Sequence, residues 1–451
     1  MKNADEITGL NFISLIYPIF VENFLRMLVL VCSYGLVSRI SDDMAAILGI
    51  TNLYLLVGFS LVECLAQGGC IILTQYLGAK KEEEVGQIYV TTIWLNVLFG
   101  LILSIVFAAY SSLLLATFGF AGILLDQGAD YLTLVGSGFG VYALNYALLY
   151  ILNANGLTKY SMAYSLLVNG MSLGLYSLIA TLPDSFLMNR LTLIGVTNLF
   201  VRFCGMLFLI FMTKAFVRNF YLYKKIPSRI VKEHIFNFLR ISLPNAFEPL
   251  SYQLFQFVLV KIISTINMES LSLRSYIISL TTLFETASWS ISRGNQIYLG
   301  YLIGAKRIQW LNPQLKKGII ASVFISILIL FFGLPFRHQL IGFFSHNQLI
   351  VDIGSPLVIL VAILTLIRAF SFNLHAGLKA AGDIKFGLAL VMISMWGVTI
   401  PSAYIVTHFF HVELQGIWVI LIIEELIRVF FLSQRWKSQN WKKFSVVHTP
   451  P

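Results

Sequence analysis

Twelve long apolar stretches constrain this chain more than any other feature. They run approximately over 12–37, 45–77, 87–112, 129–152, 160–182, 191–213, 239–266, 272–303, 318–336, 353–376, 386–407 and 415–433. A bilayer core of about 30 Å needs roughly 20 mainly apolar residues per helix. A membrane barrel strand uses only about 9–11 residues, so runs of this length exclude a barrel. Composition agrees: 58% of the residues are hydrophobic and 12% charged, against roughly 45–50% and 25% in soluble domains. The expected fold class is an all-α integral membrane protein of twelve transmembrane helices. Pro18, Glu22 and Arg26 interrupt the first stretch and Asp5 and Glu6 precede it, so it reads as a retained helix and not a cleaved signal.

The basic residues follow the membrane and not a nucleic acid. Outside the stretches, twenty Lys and Arg fall on the N-terminus, the even-numbered loops and the tail, among them Lys80, Lys306 and Lys379. Only Arg39, Arg190 and Arg337 fall on odd-numbered loops, with Arg274 counted beside them at the outer edge of the eighth stretch. By the positive-inside rule both termini face the cytoplasm. The formal charge of +10 is therefore an orientation signal, and no nucleic-acid partner is expected.

The chain also repeats itself. "QYLGAK" closes the second stretch and "GYLIGAK" the eighth, with Gly78 and Gly304 separated by 226 positions. The same offset pairs Pro18 with Pro244, Glu22 with Glu248, Asp43 with Glu269, Lys80 with Lys306, Gly156 with Gly382, Lys159 with Lys385 and Arg202 with Arg428. Six helices per repeat is an even number, so both halves enter the membrane from one side and form a parallel repeat. The expected organisation is a six-helix bundle over 1–213, a basic cytoplasmic linker over 214–238, a second bundle over 239–434 and a cytoplasmic tail over 435–451. The glycine of each Gly-Ala-Lys is expected to stop its helix.

"YPIFVENFLRM" and "SLPNAFEPLSYQL" resemble the first and seventh helices of the multidrug and toxic compound extrusion (MATE) transporters. "NANGLTKYSM", "LHAGLKAAGDIKFGLAL" and the ending "LQGIWVILIIEELIRVFFLSQRWKSQNW" resemble later parts of that pattern, over about residues 12–441, with the tail most similar to the DinF-like branch. The resemblance implies two six-helix bundles forming a V and a substrate cleft between them. It also implies export of a small-molecule substrate, driven by H⁺ or Na⁺ through alternating access, in a monomer of the bacterial cytoplasmic (inner) membrane. The sequence departs from the family at its N-terminal cation site. Cys32 and Ser33 stand where members carry an aspartate, and Ser172 and Tyr176 align with an Asn/Asp pair.

The remaining intramembrane charges become the candidates, because a charge at mid-bilayer costs at least roughly 2.5–3.5 kcal/mol. Glu22 and Glu248 lie near mid-depth of their helices and are the cation-coupling candidates. Glu22 has Arg26 one turn later, in the favourable acid-first order, and reads as a structural or gating pair. Glu248 has only Pro244, Asn245, Ser251 and Tyr252 at three and four positions, so no local cation holds its charge, which suits the principal coupling carboxylate. Glu63, Glu285, Arg26, Arg293 and Arg368 are the substrate-cleft candidates, the arginines suiting either an anionic group or a neighbouring glutamate. Glu424, Glu425 and Arg428 are expected to pair locally.

Other chemistry is weakly represented. There is no HExxH, no Walker loop and no CxxC, and the four cysteines lie in apolar runs. No catalytic residue, metal site or cofactor beyond the coupling ion is therefore expected, and an enzyme is disfavoured. Two transport readings remain: an antiporter for a small organic compound, and a flippase for a lipid-linked precursor. The parallel repeat makes a direct prediction. Cysteines placed at Lys80 and Lys306 in a cysteine-free background should resist a membrane-impermeant maleimide added to intact cells. Labelling of either from outside would sink the parallel topology.

Overall fold

The computed structural model describes residues 10–38, 42–117, 122–181, 190–217, 220, 232–345, 347–410 and 414–447. Every regular element among them is a helix. Eight helices are long and apolar enough to cross a membrane, and a ninth span is the pair Gly122–Ser137 and Phe139–Ala154, bent by 42°. Lys232–Ser264, Met268–Gly304 and Leu414–Lys437 complete the twelve. These three are less apolar, with Glu248, Glu285, Arg293, Glu424, Glu425 and Arg428 among their residues and, in Lys232–Ser264 and Met268–Gly304, many amide and hydroxyl side chains.

The chain divides into two compact units, Ile13–Ala246 and Phe247–Pro451, the latter with the N-terminal residues up to Phe12. The boundary falls within the helix Lys232–Ser264, while the expected linker lies partly outside the described residues. In the first unit the core gathers Ile47, Leu55, Val62, Phe107, Leu132 and Phe139. Small residues let its helices close up. A Cβ on Gly100 would stand 2.6 Å from the Phe139 carbonyl oxygen, the kind of backbone approach that membrane helices use in place of a hydrophobic drive. In the second unit Phe255, Leu259, Ile277, Leu357, Val361 and Trp418 form the core.

The repeat is visible in the helix boundaries. Asp42–Gly78 corresponds to Met268–Gly304, and Thr158 and Ile384 open equivalent helices. The helices end at the expected glycines, Gly78 and Gly304, but the left-handed residue is the lysine two places on. Lys80 has φ 58° and Lys306 φ 55°. The Lys81 N–H donates to the Tyr76 carbonyl at 3.2 Å and the Arg307 N–H to Leu302 at 2.9 Å, the closure of a Schellman motif. Satisfying these end carbonyls offsets the strain of a left-handed side-chain residue. The other repeat pair, Gly156 (φ 74°) and Gly382 (φ 85°), does follow the glycine rule.

The halves diverge in two places. The first unit breaks its fourth span at Gly138, where a Cβ would meet Leu199 Cδ2 at 2.1 Å. The equivalent Leu364 sits within the unbroken helix Gln348–Ala380. In the second unit, residues Ile393–Thr399 widen into a π-helix just before Pro401. Proline lacks an N–H and crowds the carbonyl four residues back, and π turns accommodate both.

Lys306→Gly should raise the thermal midpoint of the detergent-solubilised protein and Lys306→Val lower it, by free energies of about 1 kcal/mol each way. The reverse order in a thermal-shift assay would exclude the left-handed lysine.

Candidate functional site

Each unit encloses its own group of polar side chains. In Ile13–Ala246, the helix Phe12–Ser38 carries Glu22 and Arg26 one turn apart, and Asp42–Gly78 brings Glu63 alongside. The Arg26 guanidinium reaches Glu22 Oε1 and Glu63 Oε2, each at 3.3 Å. Tyr150 donates its hydroxyl proton to Glu63 Oε1 at 3.1 Å. The expected Glu22–Arg26 pair is thus part of a triad, and loss of Glu22 alone does not leave Arg26 unpaired.

Arg26 and Glu63 border a cavity of about 290 Å³, lined also by Phe59, Tyr142, Asn145, Tyr146, Tyr164, Asn169, Ser172, Tyr176, Asn198 and Arg202. Arg202 donates to the Tyr164 hydroxyl at 3.3 Å and lies over the Tyr142 ring, 5.6 Å from its centroid. Ser172 and Tyr176, the two positions that the resemblance aligns with an Asn/Asp pair, both line this cavity. The side chains of Cys32 and Ser33 lie outside the described residues.

In the second unit Arg368 bridges Glu285 at 2.8 Å and Glu425 at 3.4 Å. Arg428 holds Glu424 through Nε at 2.6 Å and Glu425 at 3.5 Å, and the Ser394 hydroxyl donates to Glu424 at 2.5 Å. The local pairing expected of Glu424, Glu425 and Arg428 is present, and Arg368 extends it across helices. This network borders a cavity of only about 60 Å³. Arg293 is not brought into it: its guanidinium stacks on Trp289, 4.7 Å from the ring centroid.

Glu248 departs most from expectation. It has no cation within one turn of its own helix, but Lys379 Nζ stands 2.7 Å from Oε2 and His375 Nδ1 3.7 Å from Oε1. Both partners come from Gln348–Ala380, far away in sequence. The premise that Glu248 is electrostatically alone is therefore wrong, and Lys379 is not a loop residue but a helical one with a counter-charge. Arg274, counted with the loop arginines, is 8% exposed within Met268–Gly304 and donates to Gln256 Oε1 at 2.6 Å. Sequence reasoning also missed a fully buried amide network. Gln314 donates to Asn295, Asn295 to Asn373 and Asn373 to Ser322, over 2.8–3.2 Å. None of its members carries a charge to draw attention.

The MatE family profile matches residues 18–176 and again 244–405. The chain belongs to the MatE family. The two matched segments begin 226 positions apart, the offset of the internal repeat. Among curated relatives, the uncharacterized transporter YisQ of Bacillus subtilis is 27% identical over 440 residues, covering 98% of this chain and 96% of the relative. The probable multidrug resistance protein NorM of Thermotoga maritima is 20% identical over 438 residues, covering 95% and 93%. Among solved structures, the outward-facing conformation of a multidrug resistance MATE family transporter of the MOP superfamily superposes with TM-score 0.87 at 19% identity, over 98% of this chain and 99% of that one. A Pyrococcus furiosus MOP superfamily transporter, described as having a binding pocket of reverse polarity that suggests a different function, superposes with TM-score 0.86 at 17% identity over the same shares. These structures show that this chain has the MatE fold, that of a multi-pass membrane protein.

The shared position of Arg26 gives a stability prediction for this MatE chain. Glu22→Gln and Glu63→Gln should each lower the thermal midpoint only slightly, because one carboxylate remains. The double variant should lower it by more than the sum, since it strands the guanidinium. Additive thermal shifts would show that Arg26 is not shared.

Proposed function

We propose that this chain is a secondary active antiporter that exports a small organic compound in exchange for H⁺ or Na⁺ by alternating access in the bacterial cytoplasmic membrane. The observation that carries the proposal is a sizeable cavity, walled by charged and phenolic groups, inside a membrane unit of MatE fold. Polar surface in such a setting is costly unless it serves a pathway or binding site. Relatives over nearly the whole length bear transporter and multidrug-resistance names, which favours export over the flippase reading.

Glu248 is the coupling carboxylate in this proposal, with a mechanism that differs from a solitary acid. Lys379 neutralises it at 2.7 Å. A proton or Na⁺ bound at Glu248 replaces that counter-charge and releases the ammonium, so one binding event alters the attraction between Lys232–Ser264 and Gln348–Ala380. Pro244 and Pro249 flank Glu248 and weaken the backbone ladder there, so the helix can respond. Glu22, held with Glu63 on Arg26, serves as a gating pair. Glu285 and Arg368 belong to the ion-paired wall of the second unit.

Everted membrane vesicles should accumulate at least one compound from a panel of cationic dyes and anionic metabolites when ΔpH or ΔNa⁺ is imposed. Glu248→Gln should abolish gradient-driven uptake while leaving equilibrium binding near wild type. Full uptake by Glu248→Gln would refute its coupling role, and gradient-independent movement of every compound would refute antiport.

A further inference from the structure

The internal repeat supplies a control for one arginine. Arg202 and Arg428 occupy equivalent places, 226 positions apart. Arg428 is neutralised by Glu424 four residues before it and Glu425 three before it. The corresponding residues before Arg202 are Asn198 and Leu199. No carboxylate lies within ion-pair distance of Arg202 among the described residues; its side chain is met by the Tyr164 hydroxyl and the Tyr142 ring. The surroundings differ in the same sense, with about 60 Å³ of space beside Arg428 and about 290 Å³ beside Arg202. One half therefore closes its arginine with carboxylates, and the other leaves a guanidinium on an open cavity.

The donors around Arg202 are arranged for an acceptor that the protein does not supply. Tyr142 is 3% exposed and lines the cavity. Its hydroxyl is buried without a hydrogen-bond partner. Tyr164, 4% exposed, accepts from Arg202 and so keeps its own O–H proton to donate. An unpaired buried hydroxyl and a guanidinium without counter-charge both cost free energy, and one anionic oxygen group relieves both. Phe59, Tyr176 and Ile194 also line the cavity and give it aromatic and aliphatic surface. Among the charged residues of the lining, Arg26 is held by Glu63 and by Glu22, which leaves Arg202 as the lining charge without a carboxylate.

We propose that the cavity of Ile13–Ala246 binds an organic anion, its carboxylate, phosphate or sulfonate group docked on Arg202, Tyr164 and Tyr142 and its apolar body against Phe59, Tyr176 and Ile194. This rests on the antiporter reading only in making that anion the cargo; the binding itself needs no gradient.

The test uses three ligands with one ring system: naphthalene-2-sulfonate, 2-naphthyltrimethylammonium and neutral 2-naphthol. Binding to the purified full chain in a neutral detergent is measured by calorimetry. The wild type should bind the sulfonate at least about tenfold more tightly than the ammonium, the order expected for charge-assisted hydrogen bonds. Arg202→Gln should lose that advantage, Arg202→Lys should keep part of it, and Tyr142→Phe should weaken the sulfonate about three- to tenfold. All variants should bind 2-naphthol as the wild type does, which reports an intact cavity. Should Arg202→Gln not fold, Arg202→Lys and Tyr142→Phe carry the same comparison. Preference for the ammonium, equal affinity for both ions, or undiminished sulfonate binding by Tyr142→Phe and the Arg202 variants overturns the proposal. Short-chain phosphatidylglycerol and phosphatidylcholine, added as competitors, separate the sources. Selective displacement by phosphatidylglycerol identifies a lipid headgroup as the anion, and displacement by neither identifies a free organic anion. Sulfonate binding without gradient-driven transport would remove the antiporter reading and leave this site standing. Gradient-driven export of cations without sulfonate binding would do the reverse.

Discussion

A charge held within an apolar solvent must be met by another charge or a dense set of hydrogen bonds, and the arrangement of helices in each unit follows from that demand. In Phe247–Pro451, Arg368 and Arg428 join carboxylates from Met268–Gly304 and Leu414–Lys437, and Ser394 adds the π-helical segment. Stranding one member of such a network costs on the order of 3–5 kcal/mol, so these contacts specify which helix faces turn inward. Apolar packing alone discriminates less, because lipid tails are as apolar as leucine. The buried charges of Met268–Gly304, Gln348–Ala380 and Leu414–Lys437 are thus groups that orient those helices.

The internal repeat shows how one backbone plan supports two electrostatic outcomes. Helix ends are conserved in geometry across the offset, down to the left-handed lysines at 80 and 306 and the glycines at 156 and 382. Backbone closure depends on hydrogen bonds common to any sequence, so it survives divergence. Side-chain charge has no such protection. Glu424 and Glu425 stand opposite Asn198 and Leu199, and Arg368 opposite Tyr142. One unit becomes ion-paired around a small void, and the other becomes phenolic around a larger one.

Local pairs were legible in the sequence because a helix fixes its own neighbours. Glu22 and Arg26, or Glu424 and Arg428, are one turn apart and meet as spacing requires. Distant pairs were not. Glu63 lies 37 residues from Arg26, and Glu285 lies 83 from Arg368. Glu248 is the instructive failure: a local search found no cation, and Lys379 arrived from another helix.

The sequence by itself determined that this chain is a helical membrane protein, how many spans it has, and that it is one unit written twice. Those properties depend on apolar run length, which the bilayer thickness converts directly into helices, and on a register that chain position preserves. Only the tertiary structure decided that Arg26 is shared, that Glu248 is paired, and that Arg202 faces a cavity without a carboxylate. Such facts depend on which helix faces meet. A mean hydropathy or a spacing rule carries no information about that, since the choice is made by the summed packing and pairing of all the helices in a unit.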